Sequence, residues 1–144
     1  MLYDAIADPE GATAGDLLAA YATELAAAVD GADPATLAEE TGVDEAVVAA
    51  LATGEADAVA DVRLADAAAV LEPAEGVPAH DIAYEVRDHL MMGMVTAILD
   101  VDTIAAEIDV DLTGQEVQQA LEGRTRLTLG ELAEIQALIV ERAP

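Results

Sequence analysis

Gln115, Gln118 and Gln119 stand within little more than one turn of a predicted helix, and Arg124 and Arg126 follow just beyond its end. A glutamine amide can pair bidentately with an adenine edge, and arginine suits phosphate. Together they would suit contact with DNA. The same residues also have an ordinary use. Glutamine is a good solvent-facing helix former, and arginine past a helix C-terminus offsets the helix dipole.

A second group is acidic. Asp81, Glu85 and His89 recur at intervals of four on one face of a predicted helix that also carries His80, Tyr84 and Asp88. Such a face could begin a metal or acid–base site. One helix supplies only part of a coordination shell, and in a chain with 30 carboxylates such spacing arises easily. A solvated face is the favoured reading, and neither a metal nor another cofactor is expected. Enzyme chemistry is further narrowed by what is missing. The chain has no Ser, Cys or Lys, the commonest nucleophiles, and no Gly-rich phosphate loop.

Met91, Met92 and Met94 surround Gly93. Methionine fills irregular cores but also makes adaptable binding surfaces. A core role is the default. The sharper reading is a partner interface, in which Gly93 lets a second helix approach closely and joins two copies of the chain.

Helices must position all three groups. With 54% hydrophobic residues, no Phe or Trp and only Tyr3, Tyr21 and Tyr84 as aromatics, the core must be built from Ala, Val, Leu and Ile. Alanine is the best helix former and strand-favouring aromatics are scarce, so an all-α protein is expected. A helix from about Thr13 carries Leu17, Leu18, Tyr21 and Leu25 on one stripe and ends at Asp30 and Gly31. Asp33 and Pro34 open a short helix that turns at Gly42. Asp44 caps a third, which closes at Gly54, and a fourth covers about 62–71, before Pro73. The stretch 72–78, EPAEGVP, reads as a linker. A long helix then covers about 79–99 and a short one about 101–108. Thr113 with Glu116, and Thr128 with Glu131, are capping boxes opening two more.

The order repeats. TLAEETGVD at 36–44 lies over TIAAEIDVD at 103–111, and Leu64 over Leu129. Two degenerate helix-turn-helix-like four-helix repeats are therefore expected, at 1–74 and 77–144, packed together through their long helices. Leu37, Ala38, Gly42, Val43, Val48 and Leu51 resemble the helix-turn-helix of the Cro and lambda-repressor type across residues 34–71, although Thr41 stands where that pattern has an apolar residue. The resemblance implies a base-reading role for the second helix of the motif. Here it reads EAVVAALATGE, without Arg, Gln or Asn, so this copy is expected to be structural and packed on the other half. In the second copy Asp109 takes the place of the turn glycine. LLAAY at 17–21, MMGM with TAI at 91–98, and EVQQALEGR with LTL and Glu131 at 116–131 resemble a family of small acidic proteins of unknown function in halophilic archaea. That resemblance implies no activity.

Charge sets the environment. Thirty acidic residues against five arginines give a net charge of −25. Disorder is excluded by the high, periodic apolar content. A folded chain this acidic suits concentrated salt, where at ~1 M the Debye length is about 3 Å. The expected location is the cytoplasm of a salt-accumulating cell. The N-terminus is acidic and unlike a signal peptide, and the longest apolar run, 90–99, is too short to cross a membrane. The expected function is non-enzymatic: binding or regulation through helical surfaces, with a protein partner. The alternative is a DNA-binding regulator using Gln115, Gln118, Gln119, Arg124 and Arg126. A metal-dependent enzyme ranks a distant third.

Overall fold

The structure is a computed structural model that describes residues 2–144. Among them the fold is all-α: a 3-10 turn, Leu2–Asp4, precedes nine helices. The first half contains α1 (Ala14–Val29), α2 (Pro34–Thr41), α3 (Glu45–Ala52), α4 (Ala56–Val59) and α5 (Leu64–Glu75). The second contains α6 (Ala79–Ala97), α7 (Val101–Glu107), α8 (Gly114–Leu121) and α9 (Leu129–Arg142).

Capping explains where most helices begin. The Thr113 and Thr128 hydroxyls accept from the Glu116 and Glu131 backbone N–H groups, and both glutamates accept in return. A third box, Thr13 with Asp16, opens α1. Asp33 caps α2 with Pro34 behind it, and Gly42 ends that helix at φ 76°, where its N–H bonds the Ala38 carbonyl at 2.8 Å. Asp44 precedes α3, but its side chain makes no capping hydrogen bond.

The details depart from the sequence expectations in several places. Helix α4 was not foreseen. Helix α5 runs through Pro73 to Glu75, because the ring's fixed φ fits a helix and only one hydrogen bond in the exposed last turn is lost. The linker shrinks to 76–78, and the Glu72 carboxylate spans it, accepting from the Ala79 N–H at 2.8 Å. The turn after α7 needs no left-handed residue at Asp109, since Ile108 leaves the helix in extended conformation. Finally, α3 packs chiefly on α1, α2 and α4 of its own half, rather than on the second half.

The two halves share one buried cluster. The long helices do not join them directly. Helix α9 stands between, packing on both α1 and α6, while α5 packs on α6. Where α5 and α9 begin, the backbones cross in an isolated antiparallel bridge, Arg63 with Thr128. The Leu64 N–H bonds the Leu127 carbonyl at 2.7 Å and the Leu129 N–H bonds the Val62 carbonyl at 2.8 Å. Each half thus supplies one donor and one acceptor at matching positions. Side chains alternate across the bridge. Val62, Leu64, Leu127 and Leu129 are buried, whereas Arg63 and Arg126 are exposed.

Gly130 makes the crossing tight. A Cβ there would lie 3.1 Å from the Ala60 carbonyl oxygen, which is backbone and cannot swing aside. Gly130→Val is expected to lower stability by about 1–3 kcal/mol, the usual range for overpacking. Thermal melting followed by circular dichroism reads the loss, and an unchanged midpoint would show that the helix starts can part freely.

Candidate functional site

Helix α6 carries apolar residues on two separate faces. Inward, Ile82, Val86 and Leu90 are buried and Met94 is partly buried. This is the stripe that a helical period predicts. Outward, at about 140° from it by the 100° step per residue, lie Tyr84, Met91 and Val95, joined by Ile98 at the C-cap, with Met92 at the edge. Their exposures are 63, 37, 79 and 91%, with 65% for Met92, and these five are the only exposed large hydrophobic residues among those described. Isolated exposed apolar residues are ordinary, whereas a gathering of them on one element makes that face a candidate binding surface.

Of the four expected interface residues, Met91 and Met92 lie on this outward face. Gly93 and Met94 serve the inside. A Cβ on Gly93 would fall 2.7 Å from Ile139 Cγ2, so its close approach is to α9 of the same chain. Tyr84, Val95 and Ile98 were missed. Spacing already linked them, since 84, 91 and 98 are seven apart, but the inward stripe accounts for the helix on its own.

Ile98 is held unusually. It ends α6 in the left-handed region, φ 55°, and is the sole non-glycine residue with positive φ among those described. The Leu99 N–H closes the turn on the Met94 carbonyl at 2.9 Å. Glycine or asparagine normally fills this place, and a β-branched residue there is an outlier.

The glutamine and arginine group is only partly assembled. Helix α8 packs on α6 and α7, leaving Gln115 and Gln118 exposed. Gln119 and Arg126 line a cleft of about 510 Å³. Sequence reasoning missed the cleft's other arginine, Arg63, which the backbone bridge brings from the first half. Asp61, Glu116 and Glu131 line the same cleft. Three carboxylates therefore face two guanidinium groups. Arg124 lies outside the lining, at 4.0 Å from Glu122 in an exposed pair of little energetic weight. Arg87 is committed to the fold. Its Nε donates to the Ala120 carbonyl at 2.9 Å, and burial pulls its pKa below the usual arginine range.

The acidic face of α6 is also dispersed. The His89 ring stacks on Tyr3, with centroids 4.6 Å apart and planes 22° from parallel. Among the described residues no three His, Asp or Glu side chains converge as a metal-holding group.

Fold and surface together define a small all-α protein with a doubly apolar helix and one outward apolar stripe. Residues 17–142 match DUF5791, a family of unknown function, and the chain belongs to it. No curated protein and no solved structure matches the chain. No single helix among the described residues is long and apolar enough to cross a membrane.

Proposed function

We propose that this is a non-enzymatic binding protein whose outward stripe on α6 engages a protein partner. The observation that carries the reading is the gathering of every exposed large hydrophobic residue described onto that one helix. The rest of the fold serves as scaffold. In this reading the two halves are degenerate copies of one helix-turn-helix-like unit, and the reciprocal bridge between matching helix starts supports it. The outward face of α3 presents Glu45, Ala46, Ala49 and Ala52, of which only Glu45 could meet a base, by accepting from cytosine, and its charge would face the phosphates. The acidity supports a location in a cytoplasm rich in salt.

DNA binding is the second reading, favoured by Gln119, Arg63 and Arg126 lining one cleft and by the exposure of Gln115, Gln118 and Arg124. It ranks lower because the cleft's carboxylates outnumber its cations, and phosphate contact draws its affinity from cations.

Affinity capture separates the two. The tagged chain, incubated with native lysate in roughly molar KCl, where the Debye length is about 3 Å, is expected to retain protein that nuclease does not release. Val95→Glu is expected to lose it. Material released by nuclease, kept by Val95→Glu and lost by Arg126→Glu would overturn the proposal in favour of DNA.

A further inference from the structure

We propose that the occupant of the α6 stripe is a second copy of the same chain, the two helices lying antiparallel about a two-fold axis at Met91. This rests on the reading of the stripe as a protein-binding surface and names its partner.

Three observations carry it. The first is spacing. Tyr84, Asp88, Met91 and Val95 follow one another at intervals of 4, 3 and 4 along α6, and Ile98 stands three residues further on, at its C-cap. That alternation is the seam by which two like helices interlock. Met91 stands seven residues from Tyr84 and seven from Ile98, so an axis at Met91 sets Tyr84 of each copy opposite Ile98 of the other. A parallel pair would set the two Asp88 carboxylates against each other, whereas the antiparallel pair holds them on opposite sides of Met91, about six residues apart along the seam.

The second is area. A free aromatic side chain presents roughly 150–250 Å² and the aliphatic ones somewhat less. At the exposures found, the five residues offer several hundred Å² of apolar surface. A stable dimer needs about 800 Å² per partner. The stripe supplies the apolar centre of such a contact, and the polar groups beside it, among them Asp81, Glu85 and Thr96, form a rim.

The third is Ile98. Its backbone is held in the left-handed region, which is costly for a β-branched residue, and its side chain is 91% exposed. Covered by Tyr84 of a second copy, the side chain acquires a use. Asparagine at this position would relieve the strain and remove the contact.

The charge adds a signature. Two chains of −25 repel one another, so their association strengthens as salt rises.

Sedimentation equilibrium of the purified full chain tests the proposal in roughly molar KCl, with a Debye length of about 3 Å. The expected species has twice the 14.7 kDa of one chain. Val95→Glu and Ile98→Asn are each expected to raise the dissociation constant at least tenfold, about 1.4 kcal/mol, with the helical signal unchanged. Ile98→Asn relieves strain, so dissociation in that variant cannot be ascribed to unfolding. The chain has no cysteine, which permits a direct test of orientation. Mixed Tyr84→Cys and Ile98→Cys chains are expected to cross-link with each other, and Tyr84→Cys alone is not. A monomer at every salt concentration overturns the inference, as does a dimer that survives both substitutions, and so does cross-linking of Tyr84→Cys to itself. If the chain is monomeric yet Val95→Glu still loses its lysate partner, the binding reading stands and only the second copy is excluded.

Discussion

Tyr21→Ala is expected to remove most of the protein's stability. Tyr21 lies on α1, is completely buried, and heads the largest fully buried side chains. Its hydroxyl donates to Gln136 Oε1 on α9, and Gln136 Nε2 donates to the Tyr3 carbonyl at 3.0 Å. One side chain therefore ties α1, α9 and the N-terminal turn together. Truncating a large aromatic to alanine costs about 3–5 kcal/mol through lost burial and the cavity left behind. A buried amide oxygen without its donor adds about 1–3 kcal/mol. Domains of this size are stable by only about 5–15 kcal/mol. Tyr21→Phe isolates the second contribution and is expected to cost about 1–3 kcal/mol. Burial, and then the charge of Glu24, push the Tyr21 phenol far above its ordinary pKa, so it remains a donor throughout the working pH range. Denaturant unfolding at constant high salt measures both variants. Equal losses for Tyr21→Ala and Tyr21→Phe would show that the hydrogen bond, not the packing, holds α1 to α9.

The second large effect is expected from salt alone. A compact chain of this length has a radius of about 19 Å. Spread over that sphere, a charge of −25 carries a self-energy on the order of 70 kcal/mol in unscreened water. At ~0.01 M salt more than half of that remains, and at ~1 M about a seventh. The expanded chain carries less at either salt. Folding therefore works against a repulsion that differs by at least ~10 kcal/mol between the two conditions, as much as the whole stability of a typical domain. Unfolding is expected in about 0.01 M KCl and a native helical signal in about 2 M. Circular dichroism across that range decides the matter, and equal folding at both ends would remove the case for a salt-rich cell interior.

The helical architecture was legible because its signals are local. Thr113 with Glu116, Thr128 with Glu131, and Asp33 with Pro34 announce helix starts within four residues, and Gly42 announces a stop. Pro73 misled because its cost depends on how many hydrogen bonds follow it, and close to a helix end that number is small. Asp109 misled because a longer turn can leave the helix without left-handed backbone. The candidate surface was half legible. Methionines at 91 and 92 drew notice by type, whereas Tyr84, Val95 and Ile98 resemble core residues until the neighbours of α6 are known. Arg63 could not be placed beside Arg126 from the sequence, since nothing local foretells a backbone bridge between the two halves.

That bridge has a consequence for how the molecule assembles. Its two hydrogen bonds join segments separated by nearly half the chain, and neither half can make them alone. Closing so long a loop loses entropy before any contact is gained, which makes distant pairings slow. The helical hairpins within each half can form early, but Leu64 and Leu129 find their partners only when both halves meet. The crossing is therefore expected late in folding and, in reverse, to be lost early, which hydrogen exchange at the Leu64 and Leu129 amides would read as weak protection relative to the helix interiors.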